Sequence, residues 1–188
     1  MKIVALSGSI VGSKTKTSMK KVVEMFTQKY PEHDIQLLDL ADYHIQFSDG
    51  RIYHEYGGDT KYVAEVMMAA DAMIIGTPIF QASIPATLKN IFDLLPVHAF
   101  RDKVASIVVT AGTPKHFLVV EQQLKPILAY MEAHIVPKYA FIEEQDFLKG
   151  EIINDDVLFR IERLIEDTIL TADAFQSIRE KQDAKYDF

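Results

Sequence analysis

The sequence predicts an α/β fold in which a five-stranded parallel sheet lies between two layers of helices. Three observations carry that reading. Strand-like and helix-like patterns alternate along the chain, the mark of a parallel sheet with helices on both faces. Loops bearing Gly, Ser, Thr and Pro follow the first, third and fourth apolar runs. With 188 residues, 48% of them hydrophobic, the chain is long enough for one buried core and too short for two ordinary domains.

The elements follow in order. Lys2 to Leu6 reads as the first strand, and Thr17 to Lys29 as the first helix, with Val22, Val23, Met25 and Phe26 on its inward stripe. Asp34 to Asp39 is the second strand. Asp42 to Gly58 has no clean period and reads as a long loop, rich in aromatics (Tyr43, Phe47, Tyr53, Tyr56). Lys61 to Ala70 is a short helix, Ala72 to Gly76 the third strand, and Pro85 to Leu94 a helix closed by Leu95-Pro96. Lys103 to Thr110 is the fourth strand. The long helix after it, Phe117 to His134, contains Pro126, which predicts a kink or a helix junction. Ile135 to Ile142 is a fifth strand, Glu143 to Asp146 a solvated loop, and Asn154 to Phe175 an amphipathic helix carrying Leu158, Ile161, Leu164, Ile165 and Ile169. Residues 1–175 then form one domain and 176–188 a charged C-terminal tail. Five strands so joined fit a flavodoxin-like doubly wound sheet, order 2-1-3-4-5, whose ligands sit beyond the carboxyl ends of the strands at the switch point.

Composition removes several function classes. A formal net charge of −7 disfavours nucleic acid or an anionic membrane as the main partner. The chain has no cysteine, so disulfides, thiolate metal sites and thiol catalysis are out. No run approaches the roughly 18 apolar residues of a membrane span, and no signal-peptide pattern opens the chain, so a soluble cytoplasmic protein is expected. The histidines outside the candidate loops (His33, His44, His54, His98, His134) show no pair at metal-ligand spacing, and no metal is expected.

Three loops leave the carboxyl ends of the strands. The first, Ser7 to Ser18, carries hydroxyls at Ser7, Ser9, Ser13, Thr15, Thr17 and Ser18 and enters a helix. Unpartnered N–H groups and the dipole at a helix start attract an anion, and hydroxyls hold a phosphate monoester without fixed charge. The other reading of this segment is a Ser/Thr-capped helix without a ligand. The second loop, Thr77 to Ser83, places Pro78, Ile79, Phe80 and Gln81 where backbone groups and an aromatic face suit a flat heterocycle such as an isoalloxazine, or else Thr77-Pro78 merely ends a strand. The third, Thr110 to His116, offers Gly112 for close backbone approach and Thr113 as a donor toward a pyrimidine carbonyl. His116 reads as a ring contact or a cap in preference to a proton-transfer group, because flavin hydride transfer needs no protein base.

These residues together resemble the NAD(P)H-dependent FMN reductase family. The resemblance rests on Ser7-Gly8-Ser9, on Thr77-Pro78-Ile79-Phe80-Gln81-Ala82-Ser83-Ile84-Pro85-Ala86-Thr87-Leu88-Lys89-Asn90 and on Asp93-Leu94-Leu95-Pro96. Beyond it, Gly112 to Leu118 and Leu124-Lys125-Pro126-Ile127-Leu128 are similar to motifs of the FMN reductases that serve alkanesulfonate monooxygenases. The resemblance covers roughly residues 1 to 170 and implies FMN as cofactor with NADPH or NADH as co-substrate. It places the phosphate at Ser9, Thr15 and Thr17, with Lys14 or Lys16 assisting, and the ring against Pro78 to Gln81 and the loop from Thr110 through Gly112 and Thr113 to His116. No side chain need be catalytic, since two stacked rings react by proximity and orientation.

The family pattern is departed from in three places. Val11 stands where a phosphate-loop arginine is usual, Phe80 where a tyrosine is usual, and Glu121-Gln122-Gln123 where sulfonate-system reductases carry an inserted tyrosine with a wide helical turn and tetramer contacts. The last bears on a transfer-type partner role more than on flavin binding. The resemblance also implies a homodimer or homotetramer, the 42–58 loop bordering a neighbour's flavin or serving its own core or a nicotinamide lid, and a possible flavin-dependent monooxygenase as recipient of reduced flavin. The competing functions are a quinone or azo reductase working by ping-pong turnover and a flavodoxin-type electron carrier. The T-x-T-G-x-T loop by which flavodoxins resemble one another is absent.

Overall fold

The computed structural model describes residues 1–185. Its sheet is parallel throughout and ordered β2-β1-β3-β4-β5, with β1 at Lys2–Ser7, β2 at Asp34–Asp39, β3 at Ala72–Pro78, β4 at Val104–Ala111 and β5 at His134–Ile135. The alternation of side chains along each strand builds two cores. Val4 and Leu6 of β1, Met73 and Ile75 of β3, and Ile107 and Val109 of β4 pack under α2 (Gly58–Ala69), α3 (Ala86–Leu94) and α4 (Lys125–Tyr130). Ile3 and Ala5, Ala72 and Ile74, and Val104 and Val108 face the other way, against α1 (Lys14–Lys29) and the C-terminal helix α5 (Asp155–Asp183). Both faces of the central strands are buried, which explains their nearly continuous apolar runs.

The structure revises several boundaries. Helix α1 begins at Lys14 instead of Thr17, so Thr15, Thr17 and Ser18 lie inside its first turns and not in the loop. The expected fifth strand is two short strands on the same neighbour, β5 and β6 (Ala140–Glu143), interrupted around Pro137, whose missing N–H cannot join a ladder. The expected helix from Phe117 to His134 is shorter, ending at Tyr130, and carries the interruption that Pro126 pointed to: a π-helical turn spans Val120–Leu124, directly before the proline, and α4 continues from it. The wide turn is therefore present although the residues there are Glu-Gln-Gln. Helix α5 continues past Phe175 to Asp183, through part of the segment expected to be a tail; residues 186–188 lie outside those described.

The acidic stretch from Glu143 is also more than a solvated loop. Asp146 is buried and accepts hydrogen bonds from the Glu143 amide (2.8 Å) and from Asn154 Nδ2 (2.7 Å), fastening a small hairpin, β7 (Phe147–Leu148) and β8 (Glu151–Ile152), to the start of α5. A buried carboxylate needs such partners. Among the described residues, no helix is long and apolar enough to cross a membrane.

Candidate flavin site

The sheet order reverses between β1 and β3, and a cleft of about 340 Å³ opens at the carboxyl ends of these strands and β4. One end of it is made by Val11, Gly12 and Ser13 leading into Lys14 and Thr15 of α1. Two glycines give this loop its path. Gly8 donates its N–H to Gly76 O (2.8 Å), and a Cβ on it would stand 2.8 Å from that oxygen, so only glycine passes β3 so closely. Gly12 has φ +78°, the left-handed conformation that turns the chain into α1.

The first turn of α1 contains no acidic residue, and Ser13 at its cap makes no side-chain cap bond. The first intrahelical donor is Thr17 N, to Ser13 O, which leaves the N–H groups before it without an acceptor inside the helix. That donor set suits a phosphate. The donors lie next to an aromatic and apolar wall of Pro78, Ile79 and Phe80, with Thr110, Ala111 and Gly112 beyond it. Open space stands where a Cβ of Gly112 would be. A phosphorylated planar ligand fits the chemistry of both ends.

The predicted site residues separate by position. Lys14, Thr15, Pro78, Ile79, Phe80, Thr110 and Gly112 line the cleft; Ser9, Thr17, Gln81, Thr113 and His116 are not among its lining residues. Ser9 is buried and bonds Val11, donating to its carbonyl (2.7 Å) and accepting from its amide (3.2 Å), so its hydroxyl shapes the loop. Thr113 accepts from Lys115 N at 3.4 Å and starts the short turn Pro114–His116 that carries His116. Thr15 pairs with Thr110, their hydroxyl oxygens 2.7 Å apart in the interior, which ties α1 to the end of β4.

Both lysines of the first loop are engaged with carboxylates. Lys16 binds Asp39 (2.6 Å) and Asp42 (3.2 Å), and hydrogen bonding to Asp39 first and Asp42 second raises its pKa above the usual lysine value. Lys14 pairs with Glu144, which sequence reasoning missed and which also lines the cleft. In the 42–58 loop, Arg51 is held by Asp49 (2.7 Å) and lies 4.3 Å from the centre of the Tyr56 ring. Hydrogen bonds from Arg51 and then Tyr56 hold the Asp49 carboxyl well below the usual range.

The wall after β3 is strained. Ile79 N donates to Thr110 O (3.2 Å), and Phe80 and Ser83 exchange backbone hydrogen bonds of 2.9 Å across a tight turn. Its central residues, Gln81 (φ 50°) and Ala82 (φ 58°), are both left-handed and neither is glycine. Each such residue costs about 1–2 kcal/mol.

Residues 1–147 match the family model of NADPH-dependent FMN reductase. This chain belongs to that family. A relative from Geobacillus thermodenitrificans named NAD(P)H-dependent FAD/FMN reductase is 42% identical over 87% of this chain and 89% of its own length. A Pseudomonas putida protein named NADH-dependent FMN reductase SfnF is 24% identical over 88% and 90%. Among solved structures, the apo form of an NADH:FMN oxidoreductase (EMOB) superposes with a TM-score of 0.76 at 24% identity, covering 90% of this chain and 89% of that one. An oxidised flavodoxin from Bacillus cereus reaches 0.64 at 13% identity, over 90% and 97%. At these identities the structural likeness shows the flavodoxin-like fold, and the family membership carries the reductase chemistry.

Proposed function

We infer that this protein is an NAD(P)H-dependent FMN reductase that holds FMN in the cleft between β1, β3 and β4, with the phosphate at the start of α1 and the ring against Pro78 to Phe80 and Thr110 to Gly112. Family membership supports the reaction; the meeting of free helix-start donors with an apolar aromatic wall supports the placing. When bound, FMN would supply the hydride acceptor for the nicotinamide. The chain's own contribution is to orient the ring and leave one face open for stacking, so that proximity and alignment lower the barrier. Thr15 and the backbone of Ser13 and Lys14 anchor one end, and the 79–83 turn sets the other.

The reading further proposes a cytoplasmic homodimer or homotetramer that passes reduced flavin to an acceptor such as a flavin-dependent monooxygenase. Exposed Val97 and Tyr130 beside an apolar groove of about 460 Å³ between α3 and α4 support self-association. Light scattering of the purified protein tests it, a monomer being the adverse result. Steady-state oxidation of NADH and NADPH with and without added FMN tests the reaction, and failure to oxidise either nucleotide overturns it. Titration with FMN and riboflavin tests the placing: FMN binds more tightly by the contribution of its phosphate, and equal affinities overturn the assignment of α1.

A further inference from the structure

The side chain of Gln123 meets the strained turn at the mouth of the cleft. Its Oε1 accepts a hydrogen bond from Ser83 Oγ at 2.6 Å, and its Nε2 donates to Ala82 O at 3.2 Å. One amide thus satisfies two polar groups of the Phe80–Ser83 turn. The turn has the two consecutive left-handed residues for which asparagine and glycine are the natural choices, yet holds Gln81 and Ala82. A conformation this costly persists only where its surroundings hold it.

Gln123 reaches the turn from the π-helical stretch Val120–Leu124. A π turn adds a residue to the helical repeat and so rotates the side chains that follow it relative to a regular helix. Val120 and Leu124 are fully buried on either side, fixing the segment against the core, while Gln123 is half-buried at its edge. The wide turn and the strained turn are therefore joined by a single side chain.

We propose that Gln123 is a positioning residue for the flavin ring: it holds the Gln81–Ala82 turn in its left-handed form and thereby keeps Ile79 and Phe80 against the isoalloxazine. This rests on the placing of the ring in the cleft. Gln123 itself does not line the cleft, so it acts through the turn. It acts on the ring end alone, which distinguishes it from a residue that supports the fold at large.

The test is a cycle of variants read by flavin fluorescence quenching, with FMN and riboflavin as probes and thermal melting as the control for folding. Gln123→Ala weakens both flavins equally, by roughly five- to tenfold, less than the roughly thirtyfold that two ordinary hydrogen bonds amount to, because only their effect on the ring wall is read. In a background of Gln81→Asn with Ala82→Gly, where the turn is stable by itself, the same substitution changes affinity less than twofold. Phe80→Ala is the reference arm. If it weakens flavin while Gln123→Ala leaves affinity unchanged, or weakens it equally in both backgrounds, the positioning role is overturned. If Phe80→Ala is silent, the placing of the ring is overturned and the proposal falls with it.

Discussion

The two ends of the cleft are built on opposite terms. At the α1 end, glycine stands where the backbone is tightest: Gly8 where the chain passes β3 too closely for a Cβ, and Gly12, left-handed, where it turns into the helix. At the other end, two left-handed residues carry side chains and are held by a distant amide. The first end meets its backbone demands with glycine, the second with a side-chain contact. The contrast teaches that the helix-start end carries little backbone strain, whereas the turn after β3 depends on the Gln123 amide and is the softer half.

The largest effect expected from breaking this contrast is at the helix-start end. Gly8→Ala places a methyl 2.8 Å from Gly76 O, a backbone atom that cannot step aside, and should lower stability by about 2–3 kcal/mol in chemical denaturation while abolishing flavin binding. An alanine variant of wild-type stability would show that the loop passes β3 by another path.

Next in size is the Thr15–Thr110 pair. Thr15→Val keeps shape but leaves the Thr110 hydroxyl buried without a partner, costing about 1–2 kcal/mol of stability and weakening FMN more than riboflavin. Thr17→Val, outside the cleft lining, should leave both affinities unchanged. Equal losses from the two variants would restore the view that the hydroxyls act as one undivided set.

At the softer end, Gln81→Asn with Ala82→Gly should raise stability by about 1 kcal/mol, read as an upward shift in melting temperature. No gain would mean that the turn is not the site of strain. The smallest effect concerns Lys14 and Glu144. Both side chains are substantially exposed, so their pair is weak, but Glu144 competes with an anionic ligand for the ammonium. Glu144→Gln should raise the FMN-to-riboflavin affinity ratio by about twofold at low salt and less at high salt. A ratio unchanged at low salt would remove Lys14 from the phosphate end.

Much of the fold was legible in the sequence because the signals are local. Runs such as Ala72 to Gly76 have the character of strands buried on both faces, and the α5 stripe has that of a helix against a sheet. The three loops were legible too, since strand order alone brings them to one edge. Less legible were elements whose form depends on what they pack against. Strand β6 was read with the wrong boundaries, and the π-helical form of the interruption that Pro126 announced was not read, because propensity does not say which neighbour supplies a hydrogen-bond partner. Glu144 and Gln123 carried no signal, standing in polar stretches that look like ordinary surface.

By itself, the sequence determined the layered parallel fold, the switch-point location of the cleft and the resemblance to flavin reductases. These follow from side-chain periodicity, from glycine and proline at fixed places and from local motifs. Only the tertiary structure decided which hydroxyls face the cleft, that Lys16 is drawn to Asp39, that Thr15 meets Thr110 and that Gln123 reaches Ala82. Polar partnerships of that kind span much of the chain and have no period. They exist because sheet and helices pack at one distance and one rotation, which no local pattern encodes.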